Sequence, residues 1–302
     1  MARWGVCCVI PASFKYAAPG SVLEAIDLLR TNEDAKVLAG GHSLLPLMKL
    51  RLANPPVLVD INRIPGLDYI REDPAMGRLR VGALVRHIEF ERSELIHRRY
   101  PMLAETAGGI GDPLVRNRGT MAGAVAHADP AADWPAALLA LDADVVATGS
   151  AGERVIPLRE LYIAILTTSL RSDELLTEIR IPMPATRSGG AYEKLERKVG
   201  DYAVIGVGAY VTLDESGRVV QAGIGLCNAG STSIKATAAE AFLLGKPAAA
   251  DNINEAARLA MEASDPVEDD RGPVDYKRAM VRELTRRALR RAFDRAEGGT
   301  PR

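Results

Sequence analysis

A chain of 302 residues, with 47% apolar and 25% charged side chains, can bury a large core and is expected to divide into two or three subdomains. Its 38 basic and 39 acidic side chains leave a net charge of −1, so nothing draws it electrostatically to nucleic acid or an anionic membrane, and nucleic-acid binding is set aside. No apolar run reaches the roughly 18 to 20 residues that span a bilayer, and residues 1–9 are too weakly apolar for a secretory signal, so no transmembrane segment and a cytoplasmic location are expected.

Ser21-Val22-Leu23-Glu24 reads as a capping box opening a helix over 21–30, with Val22, Ile26 and Leu29 on one face. Residues 36–39 read as a short strand, Gly40-Gly41 as a turn, and 44–52 as a helix with Ser43 at its N-cap and Pro46 in its first turn. Glycines before a helix leave backbone N–H groups open to an approaching phosphate. Taken alone, such a pair is more often only a tight turn. Neither G-x-x-x-x-G-K-[ST] nor G-x-G-x-x-G follows a strand here, so a nucleotide would have to be held in another way. Asn54-Pro55-Pro56 then leads into a strand over 57–61, which completes a small α/β unit.

Beyond Leu67 the elements change character: a strand over 79–83, a short helix over 88–93, and a helix over 101–109 ending at Ile110-Gly111-Asp112-Pro113. The stretch from Thr120 to Pro135 is filled with small residues, so backbone can come close to a ligand there, with Asp129 and Asp133 as acceptors. Asp133 equally suits the N-cap of a helix over 134–141. Strands follow over 144–148, 154–158 and 175–181 without regular helical crossovers, which argues against a doubly wound parallel sheet. After Pro182-Met183-Pro184 and Ser188-Gly189-Gly190, a β-hairpin is expected over 202–213 and 218–228, then helices over 235–244, 251–264 and 275–295 that serve packing and subunit contact. Glu268-Asp269-Asp270-Arg271 reads as a solvated loop. Cys7, Cys8 and Cys227 form no metal-binding spacing, and neither a Ser-His-Asp elbow nor H-E-x-x-H occurs.

Several stretches together carry a resemblance. Ala39-Gly40-Gly41-His42-Ser43-Leu44, Thr120-x-x-Gly123, Asp129-Pro130-x-x-Asp133, Tyr192-Glu193-Lys194-Leu195 and Arg197-Lys198-x-Gly200-Asp201-Tyr202 occur in the order seen in the FAD-binding medium subunits of molybdenum hydroxylases. That group includes carbon monoxide, xanthine and aldehyde dehydrogenases, and the similarity runs from about Ile10 to about Ala296. It implies an α+β protein of the PCMH-type FAD-binding fold, with two α/β subdomains, a small antiparallel sheet and a C-terminal helical bundle. The implied division is an extension over 1–9, FAD-binding subdomains over 10–62 and 63–184, and a C-terminal domain over 185–302. In this family the chain tends to begin at the segment matching Ile10-Pro11-Ala12-Ser13-Phe14, so Val9 is the expected true start.

By the same resemblance FAD lies between the first unit and the middle domain. Gly40, Gly41, His42 and Ser43, flanked by Leu38, Ala39 and Leu44, would hold its diphosphate, and Thr120, Met121, Ala122, Gly123 and Ala124 form the second glycine motif. Asp133 would bond the ribityl or ribose part, Ile110 and Leu176 would pack near the rings, Lys194 would add a polar contact, and Tyr202 would border the isoalloxazine. The family usually has Gly and Asn where this chain has Ala122 and Ala124, a departure that could weaken the cofactor site. The implied partners are a large molybdenum-cofactor subunit and a small [2Fe–2S] subunit, in a dimer of heterotrimers, with a quinone or NAD as external acceptor. The competing readings are a stand-alone FAD-dependent oxidase and a flavin-free assembly subunit.

Overall fold

The computed structural model of the chain describes residues 10–299. Cys7, Cys8 and the expected start at Val9 lie outside them.

The first unit contains β1 (Lys15–Ala17), α1 (Val22–Thr31), β2 (Lys36–Leu38), α2 (Leu44–Lys49) and β3 (Val57–Asp60). Its parallel sheet has the order β1-β3-β2, which places the most apolar strand in the middle and buries Val57, Leu58 and Val59. Ser21 caps α1 by accepting the Glu24 N–H at 3.2 Å, but the Glu24 carboxylate returns to the N–H of Gly20, one residue earlier than a capping box requires. The second helix stops short of the expected residue 52, because Arg51 turns left-handed (φ 58°) and the N–H groups of Leu52 and Ala53 fold back onto the Leu47 carbonyl.

β4 (Ile70–Asp73) and β5 (Arg78–Gly82) precede the helices α3 (His87–Arg92), α4 (Glu94–Arg99), α5 (Pro101–Gly108), α6 (Pro113–Arg116), α7 (Met121–His127) and α8 (Asp133–Ala140). The strands β6 (Asp144–Gly149), β7 (Gly152–Pro157), β8 (Tyr162–Ala164), β9 (Thr167–Thr168) and β10 (Leu175–Pro182) follow. The main sheet runs β4-β5-β10-β6-β7 and is antiparallel throughout, as the lack of crossovers predicts. Unexpectedly, part of the small-residue stretch is helical, as α7. Its alanines are good local helix formers, but Gly123 among them is not and no apolar period marks the segment.

The remaining elements are β11 (Ser188–Leu195), β12 (Ile205–Leu213), β13 (Val219–Cys227), β14 (Ile234–Lys235), α9 (Thr237–Leu243), α10 (Ala250–Glu262) and α11 (Val274–Ala296). The expected hairpin is β12 and β13, flanked by β14 and by β11, a strand the sequence reading did not anticipate. Gly189 and Gly190 look like punctuation but lie inside β11, where the α11 backbone approaches so closely that a Cβ on Gly189 would strike the Ala292 carbonyl.

The fold is α+β, and one helix joins its parts. Every residue of α8 is buried, and its backbone rests on β12 and β13 where those strands carry Gly208, Gly223 and Gly225. A Cβ on Gly225 would collide with the Ala136 carbonyl, and one on Gly223 with that of Ala140. Trp134, fully buried on α8, packs against Phe90 with ring centroids 4.9 Å apart and donates from Nε1 to His87 Nδ1 at 3.0 Å. Among the described residues no helix is long and apolar enough to cross a membrane.

Gly225→Val is therefore expected to cost about 3 kcal/mol or more through overpacking against α8, whereas Gly108→Ala, with nothing within 4 Å of the added methyl, should stay within about 0.5 kcal/mol of wild type. Denaturant melts of the two variants check this; equal stabilities would show that the glycine floor is not needed for docking α8.

Candidate functional site

β2 delivers Leu38 and Ala39 to a loop that turns sharply at Gly41 (φ +78°) before α2 begins at Leu44. Gly40 has no room for a side chain, since its Cβ would lie 2.5 Å from the Arg118 carbonyl and 2.7 Å from Gly119 Cα. The loop thus presses directly against the residues that precede the second glycine motif. Among the described residues, none of the N–H groups of Gly40, Gly41, His42, Ser43 and Leu44 donates to a protein acceptor. A half-exposed row of free donors is open to water or to a ligand. Ser43 occupies the N-cap position but its side chain makes no capping bond, contrary to the sequence reading. Its backbone is already helical there, and its hydroxyl instead stands beside that of Tyr202.

Across the cleft Thr120 caps α7, its Oγ1 accepting the Gly123 N–H at 3.0 Å. Gly123 faces the first loop: a Cβ there would be 3.9 Å from that of Ala39. Met121 and Ala122 point the other way and are buried in the middle-domain core, with Ala124 partly buried against it. The Ala122 methyl therefore fills core and does not stand between the loops, so this departure from the family pattern leaves the close approach intact.

Two side chains that sequence reasoning did not single out clamp the loops together. Asn62 Nδ2 donates to the Ala39 carbonyl at 2.9 Å, and Arg86 donates at 2.5 Å to both Asn62 Oδ1 and the Arg118 carbonyl. Neither belongs to a local pattern, so nothing in the linear sequence marks them. Burial, and then the nearby charge of Arg118, hold the Arg86 guanidinium below its usual pKa. An anion at this point would offset that repulsion.

Ile110, half-buried, ends the turn after α5, and Arg116 fixes this turn by donating to the Ile110 and Gly111 carbonyls at 3.1 and 2.9 Å. Gly200 (φ +83°) packs onto Gly111, with room for no Cβ, and brings Tyr202 to the cleft, where it is 44% exposed. Partial burial and the carboxylates of Asp129 and Asp133 push the Tyr202 phenol up in pKa, against Ser43 and Arg271, which pull it down.

Asp133 and Lys194 are brought together, but behind this surface. Lys194 Nζ bonds Asp133 Oδ2 at 3.1 Å and the Gly109 carbonyl at 2.8 Å, while Tyr192 Oη donates to Asp133 Oδ1 at 2.7 Å. Lys194 is thus not a solvated surface charge; its side chain is 8% exposed. Asp133 is the first residue of α8 and not its N-cap, since its carboxylate is already engaged by Tyr192 and Lys194. Burial raises its pKa, outweighing the Lys194 charge and the Tyr192 bond. Leu176, on β10, is 4% exposed and part of the core that faces α7.

Residues 12–184 match the family described as FAD binding domain in molybdopterin dehydrogenase, and residues 190–292 match CO dehydrogenase flavoprotein C-terminal domain. The chain is 43% identical over 289 residues to the carbon monoxide dehydrogenase medium chain of Hydrogenophaga pseudoflava, covering 95% of this chain and 99% of that one. It is 41% identical over 287 residues to the 6-hydroxypseudooxynicotine dehydrogenase complex subunit alpha of Paenarthrobacter nicotinovorans, covering 95% and 96%. Among solved structures, one of carbon monoxide dehydrogenase from Hydrogenophaga pseudoflava, lacking the Mo-pyranopterin moiety of its molybdenum cofactor, superposes with a TM-score of 0.91 at 44% identity over 95% of this chain and 99% of that one.

Beneath the cleft His87 supports Gly119, whose Cβ would lie 2.5 Å from His87 Nε2. Burial, and then the nearby His42, depress the His87 pKa to about 3 from its ordinary value of 6.5. The folded chain therefore takes up this proton more weakly than the unfolded one. The stabilisation it provides is complete above pH 6.5 and is lost as pH falls toward 3, at up to about 1.4 kcal/mol per pH unit. Denaturant melts from pH 7 to pH 5 should show this loss, and His87→Gln should flatten the dependence; an unchanged slope would mean another group dominates.

Proposed function

We propose that this chain, which belongs to the FAD-binding medium-subunit family of the molybdenum hydroxylases, holds FAD across the cleft between the Gly40 loop and α7 and passes electrons between a partner subunit and an external acceptor. The observation that carries the reading is the row of five N–H groups from Gly40 to Leu44 that have no acceptor among the described residues, closed on one side by the Arg118-Gly119 backbone. Such a row suits a diphosphate, whose oxygens accept several hydrogen bonds at once, and the crowding at Gly40 explains why a side chain is absent there.

In this reading Gly40, Gly41, His42, Ser43 and Leu44 bind the diphosphate, with Leu38 and Ala39 setting the loop's direction. Thr120, Gly123 and Ala124 approach from the facing side, and Met121, Ala122 and Leu176 pack the core that supports them. Ile110 and Tyr202 border the ring system and limit water there. Asp133 uses two of its roughly four acceptor positions on Tyr192 and Lys194, leaving capacity for a cofactor hydroxyl, while Lys194 orients the carboxylate. FAD, when bound, supplies redox chemistry that couples two-electron to one-electron carriers. The protein's task is to hold, orient and shield it.

The partners we assign are a large subunit carrying the molybdenum cofactor, where substrate reacts, and a small subunit whose [2Fe–2S] clusters deliver electrons, assembled as a dimer of heterotrimers in the cytoplasm. A quinone or NAD would be the acceptor. Two relatives of nearly equal identity, 43% and 41%, are named for carbon monoxide and for 6-hydroxypseudooxynicotine. This supports a medium subunit that is indifferent to substrate.

The test is the visible absorption spectrum of the purified chain, with mass identification of what is released on denaturation. Flavin bands near one FAD per chain are expected, and Gly40→Val should weaken FAD binding about tenfold or more. A colourless chain that cannot be reconstituted even beside its partners would overturn the reading.

A further inference from the structure

The segment between α10 and α11, read from sequence as a solvated loop, is anchored from beneath by a buried charge. Lys277, on the first turn of α11, is 0% exposed, and its Nζ reaches Asp269 Oδ2 and the Val267 carbonyl, both at 2.8 Å. Asp269 Oδ1 accepts the Arg271 N–H at 2.9 Å, and backbone bonds between Asp269 and Gly272 close the turn. Asp265 ties the start of the segment to the Ala229 carbonyl at 2.7 Å, beyond the end of β13. An ammonium taken out of water holds its place only where its partners are fixed, so this turn has little freedom to move.

From that anchor two contacts reach the stretch that carries Tyr202. Arg197 Nη1 bonds Asp270 at 3.1 Å, and Arg271 Nη2 lies 3.7 Å from Asp201 Oδ1, the same oxygen that accepts the Tyr202 N–H at 2.9 Å. Asp201 and Arg271 are both three-quarters buried, with side chains 22% and 24% exposed, so water screens their attraction only in part. Arg197–Asp270 is a surface pair, 55% and 75% exposed, and contributes little. Arg271 Nε is buried without a partner among the described residues. The guanidinium is therefore held by Asp201 and by its fixed loop, where Nη1 lies 3.7 Å from Asp270 Oδ1, and not by a full set of hydrogen bonds.

We propose that Arg271 is a positioning residue for the FAD site: through Asp201 it sets where the Tyr202 backbone stands, and the Lys277–Asp269 pair sets where Arg271 stands. The inference rests on the assignment of the cleft to FAD. The C-terminal segment would thus tune the ring side of the site without touching the cofactor, and FAD binding would depend on residues nearly 70 positions after Tyr202 in the chain.

The experiment titrates the full-length chain with FAD and records affinity, the visible circular dichroism of the bound flavin and the thermal midpoint, for wild type, R271Q, R271K, D201N and R271Q/D201N. Asparagine at 201 keeps an acceptor for the Tyr202 N–H while removing the charge, so D201N isolates the ion pair. Expected are a roughly three- to tenfold weaker affinity and an altered flavin dichroism in R271Q and D201N, partial recovery in R271K, and a double variant no worse than either single one. Thermal midpoints should stay near that of wild type, because Arg271 is not core. Two results would overturn the proposal: unchanged affinity and dichroism in R271Q, or additive losses in the double variant. A wild-type chain that takes up no FAD would overturn the site assignment along with it, whereas a wild type that binds FAD and variants that match it overturn the inference alone.

Discussion

The direct contact of one helix backbone with one sheet backbone is the constraint on which the rest of the molecule depends. α8 lies on β12 and β13 at glycines that could carry no side chain, so the middle and C-terminal sheets are joined at a fixed distance. Close-packed interiors do not absorb shifts of even a methyl group, so this seam transmits position. Its N-terminal end matters most for function. There Asp133 meets Tyr192 and Lys194 from β11, and the Asn228 N–H, just past β13, bonds the Pro130 carbonyl at 2.7 Å. The loops around the cleft therefore inherit their placement from the helix–sheet contact behind them.

A second feature is the division of labour between satisfied and unsatisfied polar groups. Behind the cleft, several polar side chains are paired: Asp133 with Lys194 and Tyr192, Asn62 with Arg86, His87 with Trp134, Lys277 with Asp269. Breaking such a group leaves a desolvated charge or dipole, which is why these pairs hold loops firmly. At the cleft surface the Gly40 loop keeps its donors free of acceptors among the described residues. A rigid frame around open donors lowers the cost of ordering on binding, because the protein has little left to rearrange. Arg118, whose charge disfavours that of Arg86, adds an electrostatic reason for an anion to settle there.

The frame also accounts for the generality of the scaffold. Relatives at 41% and 43% identity, with names that refer to chemically unrelated substrates, match this chain over nearly its whole length. On the function proposed above, a chain that holds one cofactor against fixed loops needs no substrate-specific pocket of its own.

Much of the fold was legible because the signals were local. The capped first helix, the Gly40-Gly41 turn, the apolar strand before Ile61, the hairpin through Asp214-Glu215-Ser216-Gly217 and the amphipathic C-terminal helices each follow from neighbouring residues. The ordered motifs also identified the family and its cofactor. What escaped were α7, hidden in an alanine-rich run, and β11, whose glycines look like a linker until α11 lies across them. The sequence by itself determined most of the elements, the family and its cofactor, and an expectation of which residues approach that cofactor. Only the tertiary structure decided which of them face the cleft, that Ala122 is turned into the core, that Asp133 and Lys194 are joined behind the surface, and that Asn62, Arg86 and Arg271 support the loops. The reason is physical: turns, caps and periodicities are fixed by residues a few positions apart, whereas the partner of a buried polar side chain is set by packing between segments distant in the chain.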